Sequence, residues 1–122
     1  DALVGNTSAN AITVRGEGSA TTSLQQGLAK AWVHGDTNGA AADSFNVGSS
    51  TDHGTGDFSY TLSNAFSNAN FSQTAAASST DQRRNVTQNP TRATASVMAC
   101  ETSDANTLDN TRHCLTGHGD LA

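Results

Sequence analysis

The sequence predicts an all-β domain, an antiparallel β-sandwich of about seven short strands. Three observations carry this. Apolar and polar residues alternate with a period of two in several short runs, most regularly at Phe58-Ser59-Tyr60-Thr61-Leu62, which is the repeat of a half-buried strand. The polar residues are mainly Ser, Thr, Asn and Gly, with Lys30 the single lysine, and Thr-rich, Lys-poor surfaces suit exposed sheet. Glycine-bearing turns punctuate the runs at short spacing, as in sandwiches and barrels.

Taken in order, residues 1–10 read as a linker from a preceding segment, and 11–122 as one domain. Ile12 and Val14 alternate with Thr13 and Arg15, and that strand stops at Gly16-Glu17-Gly18. One helical turn fits between Ser23 and Ala31, with Leu24, Leu28 and Ala31 on one face, although Gly27 weakens it. Lys30 to His34 reads as a strand closed by Gly35-Asp36-Thr37-Asn38-Gly39. Asp43 to Phe66 reads as a β-hairpin: Phe45 and Val47 on one face, a turn over Asp52–Asp57, then the Phe58–Leu62 alternation. Glycine supplies the positive φ such a turn needs. Phe71–Ala77, Ala93–Cys100 and Thr111–Thr116 complete the strands, with a long loop over Ser78–Thr91 that holds the single proline. No helix is available for crossovers, so the strands are expected to run antiparallel.

Composition limits the function classes. The chain has 122 residues, 34% of them hydrophobic and many of those Ala. Ala buries little area, so a modest core is expected and copies are expected to share apolar faces as a homo-oligomer. The net charge of −5 and the lack of a basic stripe argue against nucleic acid, which needs clustered Lys and Arg. No run approaches the ~20 apolar residues of a membrane-spanning helix, so no membrane insertion is expected.

Candidate chemistry is sparse. Asp52 and Asp57 flank the predicted turn, where Asp caps backbone amides, and no Gly-x-Ser-x-Gly elbow is present. Gly16-Glu17-Gly18 lacks the Gly-Lys-Ser/Thr ending of a phosphate loop. His113, Cys114 and His118 offer three metal ligands where zinc usually takes four, so no metal site is assigned. No enzyme and no cofactor are expected. Cys100 and Cys114 flank a polar loop and could face each other on a hairpin, so a disulfide and two separately packed thiols are both open. Gln82, Arg83, Arg84 and Asn85 concentrate charge and hydrogen bonding on the predicted long loop, where binding residues collect. The arginines could grip carboxylates or phosphates of a surface glycan; the plainer reading is a solvated turn.

Three stretches carry a resemblance: Leu24-Gln25-Gln26-Gly27-Leu28-Ala29-Lys30-Ala31-Trp32-Val33, Asp43-Ser44-Phe45-Asn46-Val47 and Thr51-Asp52-His53-Gly54-Thr55-Gly56-Asp57. In that order, with Cys114-Leu115 as the last strand, they resemble segments of tail-fibre proteins of tailed bacteriophages, many of them marine. The resemblance runs from about Ile12 onward. It departs at His53, where that pattern usually has Asn, at His113 and Gly117, where bulky apolar residues are expected, and over Ser78–Arg92. It implies an extracellular virion protein: a C-terminal fibre domain, trimeric, attached to other virion proteins and meeting a host surface polysaccharide or protein. A bacterial cell-surface adhesin or filament-forming subunit is the alternative expectation.

Overall fold

The structure is a computed structural model that describes residues 12–15, 18–78, 86–102 and 112–122. The strands are β1 (Thr13–Arg15), β2 (Thr21–Ser23), β3 (Ala31–Gly35), β4 (Ala41–Phe45), β5 (Val47–Gly54), β6 (Asp57–Leu62), β7 (Ser72–Ser78), β8 (Val86–Gln88), β9 (Val97–Thr102) and β10 (Arg112–His118). One helical turn, α1 (Leu24–Gly27), follows β2, with Ser23 accepting the Gln26 amide at its start. β1 and β2 form a ribbon, β4-β3-β10-β7 one four-stranded sheet and β5-β6-β9-β8 another. Every pair is antiparallel. The expected all-β sandwich is the fold, with ten strands among the described residues where about seven were expected.

Alternation decides what lies between the sheets. Val33 and Leu115 point inward from the first sheet, and Phe58, Tyr60, Leu62, Met98 and Cys100 from the second, all in one buried cluster. Phe66 closes one end, stacked on Phe71 with ring centroids 4.4 Å apart and bridged to Leu121. His113 and Gly117, expected to be bulky and apolar, both face inward. His113 stacks flat on Phe58 at 4.7 Å, and Gly117 leaves room for Phe66 and Met98, since a Cβ there would meet the Met98 sulfur at 2.8 Å. Polar contacts also join the sheets: Gln73 donates to the Ala99 carbonyl at 2.8 Å, and the His113 imidazole bonds to the Tyr60 hydroxyl.

The expected Asp43–Phe66 hairpin needs correction. Phe45 and Val47 lie in different sheets, because Asn46 sits between β4 and β5 with φ 60°. A left-handed residue redirects an extended chain, and Asn tolerates that conformation better than other L-residues with a Cβ. The hairpin partner of β6 is Val47–Gly54, and the turn narrows to the residues between Gly54 and Asp57. Ala93–Ser96, expected within a strand, instead lie in a turn leading to β9. Asn89 organises it, bonding Thr91 through its Oδ1 and Glu101 through its Nδ2. The predicted loop over Ser78–Thr91 contains a further short strand, β8.

Candidate functional site

Strand alternation in β3, β4, β7 and β10 that fills the core from one side leaves the other side of that sheet open. Trp32 is the cross-strand partner of Phe45 and of Thr116, and Thr116 is the partner of Thr74. Partners in an antiparallel ladder project to the same side, their Cβ atoms roughly 4.5–5.5 Å apart. These four residues therefore make one row across the sheet. Trp32 is 36% exposed and Phe45 54%. The adjacent row runs Asp43, His34, Cys114, Ala76. Thus a pair of exposed aromatic rings lies one step from a carboxylate, an imidazole and a thiol.

Asp43 is held in place, one carboxylate oxygen accepting the Ser44 amide at 2.8 Å. The turn that returns β3 to β4 is likewise fixed, with Asp36 accepting the Asn38 and Ala40 amides at 2.9 Å each and Gly39 at φ 75°. The face stands on a rigid hairpin, which favours recognition by lowering the ordering cost. Cys114, His34 and Asp43 have the residue types of a nucleophile, base and orienting acid. Among the described residues no hydrogen bond joins them, and no group of three His, Cys, Asp or Glu is arranged to hold a metal ion. Their arrangement suits hydrogen bonding to a ligand.

A second constellation lies inside. His113 is 1% exposed; one ring nitrogen bonds to Tyr60 and the other, Nδ1, is buried without a partner. Burial lowers the His113 pKa, with His34 adding to the fall and Asp36 opposing it. Burial also raises the Tyr60 pKa well above the ordinary phenol value. Such a pair is closed to substrate and serves to join the sheets.

No protein-family model, curated protein or solved structure matches this chain. Of the residues expected to form sites, Gln82, Arg83, Arg84 and Asn85 lie outside the described residues. Cys100 and Cys114 are both free, Cys100 buried and Cys114 exposed. They occupy strands of different sheets, so the hairpin that could bring them face to face is not formed. Asp57, expected as a turn cap, is bound by Arg92 at 2.9 Å and by Asn89 at 3.3 Å. Asp52 does cap, accepting the Gly54 amide at 2.8 Å. His53 bonds the Ser59 hydroxyl at 2.8 Å. No site was assigned to the Trp32–Phe45 pair from the sequence. The signal was available in β3, where Ala31, Val33 and Gly35 alternate against Trp32 and His34, so both sets cannot face inward. Among the described residues no helix is long and apolar enough to cross a membrane.

Proposed function

We propose that this chain is an attachment domain of a virion fibre, extracellular and non-enzymatic, which assembles as a trimer with other virion proteins and meets a host cell surface. The observation that carries the reading is the open outer face of β4-β3-β10-β7, with Trp32 and Phe45 exposed on a rigid scaffold. The tail-fibre resemblance of the Leu24–Val33 and Asp43–Val47 stretches supports the same reading, and Trp32 and Phe45 fall within those stretches. Self-association finds support in the β1-β2 ribbon: Thr13, Val14, Arg15, Thr21 and Thr22 are all exposed, and a two-stranded ribbon is marginal in water unless covered.

The alternative is a cell-surface adhesin or filament subunit that polymerises by strand addition. Pairing is opposed at two of the four sheet edges. The Ser44 amide on edge strand β4 is taken by the Asp43 carboxylate, and edge strand β5 carries two register shifts; such devices discourage edge pairing. The remaining edges are β7 and β8.

Sedimentation velocity and adsorption to bacterial cells test the proposal together. A discrete trimer that adsorbs to cells is expected. A monomer at every concentration would remove the trimer, an open-ended polymer series would favour the filament subunit, and failure to adsorb to any cell type would sink the attachment reading.

A further inference from the structure

We infer that the outer face of β4-β3-β10-β7 binds neutral sugar, with Trp32 and Phe45 as the platform for a hexopyranose ring and Asp43, His34 and Thr116 as its hydroxyl partners. The inference names the ligand class of the attachment face and in that respect rests on the function proposed above.

Size comes first. An aromatic side chain offers roughly 150–250 Å², so the exposed fractions of Trp32 and Phe45 leave about 200 Å² of aromatic surface open. A stable protein–protein interface takes about 800 Å² from each partner. The pair is too small an apolar patch to hold a second copy and of the scale of one or two sugar rings. Chemistry comes second. The C–H groups on the face of a pyranose carry partial positive charge and meet the negative face of an aromatic ring. Its hydroxyls project from the rim and need donors and acceptors about one strand spacing, roughly 4.8 Å, or one same-face step along a strand, roughly 6.8 Å, away.

The neighbouring residues supply those groups. Thr116 lies beside Trp32 in the same row, and His34 with Asp43 fills the next row. One oxygen of Asp43 is committed to the Ser44 amide, which fixes the carboxylate while its other oxygen can accept from a hydroxyl. Charge narrows the class further. Beside the rings stand the Asp43 carboxylate, the His34 imidazole and the Thr116 hydroxyl. Of the basic groups in the same alternation, Lys30 is 5% exposed with its ammonium donating to the Gln25 and Leu28 carbonyls, His118 lies beyond Thr116 and Arg112 beyond Cys114. An anionic sugar or phosphate would meet Asp43 at close range, whereas a neutral hexose would not.

Trp32 is the chain's single tryptophan, so its fluorescence reports directly on the proposed platform. The full chain is titrated with methyl glucoside, mannoside and galactoside, and with dextran, mannan and galactan. A saturable change in emission is expected for at least one hexose, with dissociation constants on the order of millimolar and about tenfold or more tighter for its polymer. Phe45→Ala should abolish the response, and Thr51→Ala, an exposed substitution on β5 of the other sheet, should keep it. Urea midpoints of both variants check that the fold is intact. No saturable response to any of the sugars overturns the inference, as does an emission change that follows protein concentration alone, which would mean a second copy covers the face.

Adsorption to cells separates the two readings. Adsorption that survives Trp32→Ala and Phe45→Ala, with no sugar response, overturns the sugar platform and leaves attachment standing. A sugar response without adsorption overturns attachment and leaves the platform.

Discussion

At the scale of single residues, the decisive group is His113, an imidazole placed where an apolar side chain would be routine. It is accommodated because β3 offers Gly35 opposite it. A Cβ on Gly35 would run into both the imidazole and the Tyr60 hydroxyl. Gly35→Ala is therefore expected to destabilise by about 1–3 kcal/mol through overpacking, read from urea midpoints. Gly27→Ala, where a Cβ meets nothing within 4 Å, is the neutral or mildly stabilising control. The same histidine gives stability a pH dependence. Its folded pKa is depressed below 6.5, so the neutral ring is the native form and the unfolded chain binds the proton more readily. The contribution is fully present above pH 6.5 and is lost as pH falls toward the folded value. The slope approaches about 1.4 kcal/mol per pH unit within that window. Urea unfolding at pH 8 and pH 5 measures it, and His113→Gln should flatten the difference.

At the scale of elements, Asn46 is the crossing between sheets. Its Nδ2 donates to the carbonyls of Lys30 at 3.0 Å and Asn64 at 2.9 Å, and its Oδ1 accepts the Asn64 amide at 2.8 Å. One side chain thus ties β3, β4 and the end of β6 around a left-handed residue. Asn46→Ala loses these bonds and puts a strained conformer in their place, at about 2–4 kcal/mol together. Asn46→Gly keeps the backbone free and should cost less; equilibrium unfolding of the pair separates the two contributions. This position also shows where element reading from sequence stops. The Phe58–Leu62 run, the glycine turns and the single helical turn were legible, because each is a local property of a few residues. Phe45 and Val47 keep the period of two straight through Asn46, so alternation alone could not reveal that the chain changes sheet there. Val86–Gln88 and Thr21–Ser23 are short and polar, and their pairing with β9 and β1 supplies what their own residues do not signal.

At the scale of the whole molecule, the sandwich has two chemically distinct sides to each sheet, and the cysteines mark them. Cys100 is buried, and burial together with Asp57 and Glu101 pushes its thiol pKa up to about 12. Cys114 is exposed on the aromatic face. A thiol reagent at pH 8 is expected to label one site promptly on the native chain and the second only upon unfolding, as only the thiolate reacts; mass spectrometry of the labelled peptides checks the order. The candidate site was less legible than the fold for a related reason. Its residues come from Trp32, His34, Asp43, Phe45, Cys114 and Thr116, separated by up to some eighty positions, and only the ladder of β4, β3 and β10 puts them in rows. Nothing local in the sequence marks Phe45 as outward.

The place of β10 has a further consequence. It is the last of the described strands, yet it lies in the interior of its sheet, between β3 and β7. While the polypeptide emerges from the ribosome, β7 has no partner in its sheet and β3 pairs on one side only, with β4, until Arg112–His118 has been made. Closure at such long sequence separation is slow. A nascent chain therefore carries unpaired edges until β10 emerges, a period in which premature association between chains is the hazard.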